Sequence, residues 1–387
     1  MYYLRDPLRL TDRQLFLPLP LAPIVNFFNG RYTIPAIHTL FCQMVGATVE
    51  IDIITDLVDA LDEACLLENG RFHQAYQAKT DAYRAQPHRP PVHAGVSYPA
   101  DPDELAEFLN AYGDGDDLSD WPEWNGRAIV SPHIDYQRGG EVYSKVWRRA
   151  KTAVLEADLI IMLGTDHKGG AGTFTCTRLP YATPYGVIPT DLAVIDALET
   201  AVGTDIYTEE LHHSDEHSIE LTAVWLHHIY KEAGIEPKPM IPILCGSFHG
   251  FIADDEMPDQ DEFLMTAVDA LQQSTAGKKV LVVASVDFAH VGPAFDQPER
   301  IMDETNRAAI TAFDERLITA INKGDDADFF HSNAAVRDEN NICGYSSIYL
   351  MLRYLGKGVS GQQIAYQHCP ADAKNHSLVS IAGLLLD

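Results

Sequence analysis

The chain has 387 residues and a formal charge of −28, from 56 acidic against 28 basic side chains. With no cluster of lysine or arginine to neutralise a polyanion, the composition argues against nucleic acid as a partner. An apolar share of 46%, with 22 prolines and 26 glycines, describes a folded, turn-rich protein long enough for two units. Six widely spaced cysteines (Cys42, Cys65, Cys176, Cys245, Cys343 and Cys369) form no CxxC pair, so neither a zinc ribbon nor a disulfide framework is expected. No stretch reaches the roughly 18 uninterrupted apolar residues of a membrane span, and no signal-type apolar run opens the chain. A cytoplasmic protein without membrane partners is the expectation.

Residues 1–86 read as a separate helical unit. Pro18, Pro20 and Pro23 punctuate its opening, and Ile34 to Val45 and Ile53 to Leu66 then repeat apolar residues at helical spacing, as in Ile54, Leu57, Val58 and Leu61. An extended Thr48-Val49 before Glu50 gives this part the look of a small winged helix. It lacks a basic recognition face, so packing or docking is expected of it rather than DNA binding. The polar run from Ala78 into Gln86-Pro87-His88-Arg89-Pro90-Pro91 predicts a linker, with the second unit over 90–387.

In that second unit, Asp101 as N-cap, Pro102 behind it and an acidic first turn predict a helix carrying Leu105, Phe108, Leu109 and Tyr112 on one face, stopped by Gly113. From Arg127 onward, strands are predicted near 127–131, 158–164, 238–245 and 279–286. Helices are predicted near 140–154, 190–201, 218–233, 260–275, 302–323 and 344–355. This alternation predicts an α/β fold whose mostly parallel sheet is covered on both faces.

Histidines stand where those strands end: Ser131-Pro132-His133, Gly164-Thr165-Asp166-His167 and Ser285-Val286-Asp287-Phe288-Ala289-His290. The carboxyl edge of such a sheet is where ligands bind. Neutral imidazole is a common ligand for zinc and iron, and His133 and His167 lie beside small or turn-forming residues that admit a ligand to the backbone. A further group, His212-His213 followed by Asp215-Glu216-His217, offers carboxylates and imidazole in one turn. It reads either as a metal or acid/base group or as Asp215 capping a helix that begins near Ser218. Asp287 and His290 again pair an acid with an imidazole, the acid orienting the base or completing a metal shell.

Other motifs carry less. The glycines at 139–140 and 169–172 match neither a P-loop nor a dinucleotide fingerprint, and no Gly-x-Ser-x-Gly elbow is present. Cys343 precedes a helix, a place that lowers a thiol pKa, though a buried structural cysteine fits the position too. His249 in Gly246-Ser247-Phe248-His249-Gly250 is a fringe site residue.

Taken in order, His93-Ala94-Gly95-Val96-Ser97-Tyr98-Pro99, Ser131-Pro132-His133, Leu163-Gly164-Thr165-Asp166-His167, Asp215-Glu216-His217-Ser218-Ile219-Glu220, Ser285-Val286-Asp287-Phe288-Ala289-His290 and Asn341-Ile342-Cys343-Gly344 resemble the Memo family, whose prokaryotic members are called AmmeMemoRadiSam system protein B. The resemblance covers about residues 90–387. It implies an αβα sandwich similar to class III extradiol dioxygenases, with a metal pocket lined by His133, His167, Asp215, His217 and the Asp287 to His290 segment. It also places a cysteine of the animal member's iron site opposite Ala289, which has no donor atom. On that alignment Asp287, His290 or His217 completes the shell, or the site binds metal weakly or works without it. The expectation is therefore a metal held by His133, His167 and His290, iron(II) first and zinc second, with Asp287 orienting His290. His217 or His290 would move a proton, oriented by Asp215 or Asp287, in redox or ring-opening chemistry on a small molecule. The alternative is a non-enzymatic module that kept the cleft to bind a ligand or peptide, and metal-assisted hydrolysis is a third reading. The resemblance further implies AMMECR1-type and radical SAM proteins as partners.

Overall fold

A computed structural model describes residues 1–113, 123–170 and 173–387, so the glycine run at 169–172 ends outside the described residues. The chain divides into two compact units, Met1–Ala85 and Gln86–Asp387. In the first, β1 (Tyr2–Leu4) and β2 (Leu15–Leu17) pair antiparallel, and three helices follow: α1 (Ile34–Val45), α2 (Ile51–Glu63) and α3 (Gly70–Arg84). Ile24, Ile37, Phe41 and Ile54 form its small core. The linker expected from Ala78 is corrected here, because α3 runs on to Arg84. Asn69 caps that helix by accepting from the amides of Arg71 and Phe72, and Thr80 and Tyr83 are buried on its inner face. The polar residues read as linker are its solvent side.

The second unit opens with α4 (Pro102–Ala111), whose cap is Asp101, accepting from the amides of Asp103 and Glu104. Then come β3 (Ala128–Ser131), α5 (Tyr136–Arg149), α6 (Lys151–Glu156) and β4 (Leu159–Thr165). After β5 (Thr175–Cys176), β6 (Tyr181–Thr183) and β7 (Gly186–Ile188) the chain forms α7 (Leu192–Val202), α8 (His217–Ala233), β8 (Met240–Cys245), α9 (His249–Asp254), α10 (Glu262–Ser274) and β9 (Val280–Ser285). It ends with β10 (His290–Val291), α11 (Glu304–Asn322), α12 (Asp326–Ala334), α13 (Tyr345–Leu355), β11 (Gly361–Pro370) and β12 (Leu378–Leu386). Among the described residues, no helix is long and apolar enough to cross a membrane.

Eight strands make the central sheet in the order β10-β12-β3-β9-β4-β8-β5, with β11 paired to β12. The neighbours β3, β9, β4 and β8 are parallel, while β5, β10, β11 and β12 join antiparallel. Successive residues of a strand point to opposite faces. Accordingly Val130, Leu159, Ile161, Leu163, Ile243 and Val282 enter one core, while Ile129, Ile160, Met162, Leu244, Leu281 and Val283 enter the other. Helices cover both faces, giving the α/β sandwich that the alternation of elements predicts.

Arg89 ties the start of this unit to the middle of its sequence. Fully buried, it forms an ion pair with the equally buried Glu220 and donates from Nε to the carbonyl of His213 (2.9 Å) and from Nη2 to that of Glu216 (2.7 Å). Glu220 also accepts from the hydroxyl of Tyr98 and the amides of Val92 (3.2 Å) and His93 (2.9 Å). Removing one partner of a buried pair strands the other charge, at a cost of about 3–5 kcal/mol. Protein starting at Gln86 is expected to unfold in one cooperative transition, whereas protein starting at Pro90, without Arg89, should lose stability of that order. Chemical denaturation followed by circular dichroism tests both, and equal stability of the two would show that Arg89 does not hold the unit together.

Candidate metal centre

The parallel register sets Ser131 beside Ser285, Ser285 beside Gly164 and Thr165 beside Cys245, so the residues that follow each strand leave the sheet at one edge. His133 leaves after β3 and His167 after β4, while His217 is the first residue of α8, which begins at the same place. The ring centroids of His133 and His167 are 5.0 Å apart, His133 and His217 5.3 Å, and His167 and His217, stacked, 4.5 Å. Each of the three offers a ligand atom within 4.8 Å of the other two. Gly164 makes this approach feasible, since a Cβ there would lie 2.5 Å from Cγ1 of Ile219 and 2.7 Å from Oγ of Ser218.

The rings are fixed through their far nitrogens. His133 Nδ1 lies 2.9 Å from the carbonyl oxygen of Ser285. A carbonyl only accepts, so Nδ1 carries the proton and Nε2 keeps its lone pair. Glu216, buried, stands behind the other two. Its Oε1 lies 2.9 Å from Nδ1 of His167 and 3.1 Å from Nδ1 of His217, and its oxygens also accept from the amides of Ser218 (2.9 Å) and His167 (3.1 Å). Burial works against its ionisation, but the two imidazoles outweigh it and hold its pKa well below the usual carboxylate value. Glu216 therefore replaces Asp215 both as the cap of α8 and as the acid that orients His217. Asp215 is a third exposed and pairs instead with Lys168, one residue being enough to turn it away from the rings.

The expectation that the pocket lacks a thiol is overturned. Ala289 offers no donor, but Cys343, reached from 176 residues beyond His167, places Sγ 3.1 Å from Nε2 of His133 and 3.2 Å from Nε2 of His167. Its amide donates to the carbonyl of Phe288 (3.2 Å) and that of Gly344 to the carbonyl of Asp287 (2.9 Å), which seats the loop against the end of β9. Gly344 allows this contact, because a Cβ there would fall 2.3 Å from Cβ of Val286. Burial raises the thiol pKa, yet His133 and His167 more than reverse this and bring it down to about 5. Burial lowers the pKa of His133, partly offset by Cys343. For His167 burial is outweighed by Cys343 and Glu216 on either side, and its pKa rises well above the ordinary value.

Asp287 is buried and accepts at Oδ1 from the amides of His133 (2.9 Å) and Ile134 (3.2 Å), so it grips the backbone that carries the first ligand. Burial raises its pKa. The chain does turn after β9, and His290 begins β10 with Nδ1 3.1 Å from the carbonyl of Phe288. Burial lowers its pKa, partly offset by Asp287 and by the backbone carbonyls of Phe288 and Asn341. His290 stands outside the three-histidine group; it lines, with Thr165, His167, His249 and Cys343, a cavity of about 270 Å³ beside it. His93 comes in from the other side, its ring 6.1 Å from that of His217. His213 is structural, held between the hydroxyl of Tyr181 (2.6 Å) and the carbonyl of Thr175 (3.1 Å).

A family model described as Memo-like protein matches residues 89–385. A MEMO1 family protein of Aquifex aeolicus is 24% identical over 390 residues, covering 99% of this chain and 95% of the relative. That alignment includes the first unit. A MEMO1 family protein of Thermus thermophilus is 28% identical over 283 residues (70% and 76%), and one of Methanopyrus kandleri 30% identical over 240 residues (59% and 77%).

The electrostatics of Cys343 give a direct test. A pKa brought down to about 5 leaves the thiolate as the main form at every pH above that value. In metal-free protein, alkylation of Cys343 by iodoacetamide should therefore reach its plateau near neutral pH, with a midpoint near 5. Peptide mass spectrometry should find Cys176 and Cys245 unmodified, both being buried and pushed upward in pKa. A midpoint near the ordinary thiol value of about 8.5 would show that the imidazoles do not act on this sulfur.

Proposed function

Because the chain belongs to the Memo family, we propose that His133, His167 and Cys343, with His217 beside them, hold a divalent metal, iron(II) first and zinc second, for redox or ring-opening chemistry of the dioxygenase kind on a small molecule. The observation that carries this reading is the sulfur of Cys343 lying 3.1 and 3.2 Å from two imidazole Nε2 atoms, with the far nitrogen of each ring already occupied. Ligand histidines are held in this way in metalloproteins, with a carbonyl or carboxylate on the second nitrogen. When bound, iron(II) supplies a redox-active centre with coordination positions left for substrate and dioxygen.

The remaining work falls to the protein. Cys343 contributes a negative charge and Glu216 a second one behind the rings, so the pocket favours a cation before any substrate enters. His290, its Nδ1 proton engaged by Phe288 and its ring lining the adjoining cavity, is the group placed to exchange a proton with a substrate there. Asp287 keeps His133 in place through the backbone and faces His290 with a charge that favours the protonated ring. At about 270 Å³ the cavity is smaller than most drug-sized sites, which suits a single ring or a short chain. AMMECR1-type and radical SAM proteins are the partners to test by co-purification.

Iron(II) reconstitution without oxygen, followed by metal analysis, tests the centre. Wild-type protein should take up about one equivalent, and His133→Ala and Cys343→Ala should each abolish stable loading. Glu216→Gln should weaken affinity about 10–100-fold, the usual effect of losing a residue that orients ligands. Unchanged loading in both alanine variants would refute the centre. Oxygen uptake by the loaded protein over a panel of catechols then separates an enzyme from a binding module, and a fully loaded protein that consumes no oxygen on any small molecule tried favours the module.

A further inference from the structure

A second cavity, of about 490 Å³, opens among three helices of the second unit and shares no lining residue with the one beside the metal centre. Ser144, Trp147 and Arg148 of α5 reach it at helical spacing, as do Trp225, His228 and Glu232 of α8, and Leu109 and Asn110 of α4 close the third side. The walls are tied together. Nε2 of His228 lies 3.1 Å from Oδ1 of Asn110, and its Nδ1 3.2 Å from the hydroxyl of Tyr185. Arg148 donates to the carbonyl of Gly113 (3.0 Å), a residue whose Cβ, if present, would fall 2.5 Å from Nη1. Two indoles line the space, and their N–H groups differ. That of Trp147 donates to Oγ of Ser131 (2.9 Å), whereas that of Trp225 has no hydrogen-bond partner among the described residues, and neither has the hydroxyl of Ser144. Trp225 is 2% exposed and Ser144 fully buried. An indole can only donate, and a buried donor left unmet is costly, so the floor of this cavity calls for an acceptor.

We propose that this cavity binds a small organic carboxylate, its oxygens accepting from Nε1 of Trp225, Oγ of Ser144 and the guanidinium of Arg148, and its carbon body lying against Leu109, Trp147 and Ile229. Arg148 and Lys151 bring two positive charges to the rim in a chain whose formal charge is −28. Glu232 answers only one of them, its carboxylate 3.5 Å from Nζ of Lys151. A carboxylate accepts at both oxygens and suits the planar fork of an arginine. Inorganic phosphate would meet the same donors but would leave the apolar wall uncovered. The volume falls within the range of about 300–1,000 Å³ usual for small-molecule sites.

The indole N–H of Trp225 is itself the probe. In the full chain labelled at its four tryptophans, nuclear magnetic resonance shows each indole group separately, and the spectrum of Trp225→Phe identifies the one that matters. Benzoate or butyrate, titrated at millimolar concentration, should move that resonance downfield to saturation. Arg148→Gln and, separately, Ser144→Ala should weaken the binding, the first by about tenfold or more, the usual effect of losing a hydrogen bond to a charged group. Circular dichroism melts confirm that the variants are folded. A Trp225 resonance unmoved by both carboxylates in wild-type protein, or unchanged affinity in both folded variants, overturns the proposal. So does tighter binding of inorganic phosphate than of either carboxylate, which would assign the cavity to phosphorylated ligands. Failure of the metal centre would appear elsewhere, in metal loading, which Arg148→Gln should leave at the wild-type level.

Discussion

The site depends on one buried carboxylate. Glu216 reaches the Nδ1 atoms of His167 and His217 together with two backbone amides, and each of these contacts serves a different part of the structure. The Ser218 amide is an orphan donor of the first turn of α8, so the acid ends the helix correctly. The His167 amide belongs to the segment after β4, so the same acid ties strand to helix. With both Nδ1 atoms engaged, the two rings present Nε2. A carboxylate so placed would be costly to bury alone, and the positive end of α8 and the donors around it make its ionised form the stable one.

A second constraint acts from beneath. Parallel strands in register deliver their last residues to one edge, and the segments that follow must then be brought close enough to share a small volume. Two glycines decide this. Gly164 lets the first turn of α8 lie on β4, and Gly344 lets the Cys343 loop lie on the end of β9. A methyl group at either position would push a ligand-bearing segment outward, so the centre is built by omission of side chains as much as by their presence.

Much of the fold was legible because the buried strands are short apolar runs between turn-forming residues, and β3, β4, β8 and β9 fall within about two residues of the runs read from the sequence. The strand-end histidines were legible for the same reason. What escaped was set by contacts distant in sequence. β12 is buried along its whole length and β11 is its half-exposed partner, and the two follow one another without a helix between them, so they lack the strand-helix alternation that marked the others. Cys343 looked like any thiol ahead of a helix until the fold brought it to residues 133 and 167. Glu216 lies within an unbroken polar run from His212 to Ser218, and only the phase of the first helical turn decides which of Asp215 and Glu216 faces inward. Its neighbour in sequence was the wrong choice for that reason alone.

The place of β12 in the sheet also orders the assembly of the molecule. Leu384 to Leu386 lie against Val130 to Ala128, and Leu378 and Val379 pair with Val291 and His290. Ser380 bonds the backbone of Phe288 and, through both its amide and its hydroxyl, that of Ala289. The stretch from Asp287 to His290, and through it the loop of Cys343, is therefore fixed only once residues near 380 have emerged from the ribosome and entered the sheet. Contacts spanning so much of the chain form slowly. A nascent chain holds the three histidines long before Cys343 and the strand that seats it arrive, and in that interval they are ordinary exposed ligands, open to any metal ion the cell supplies.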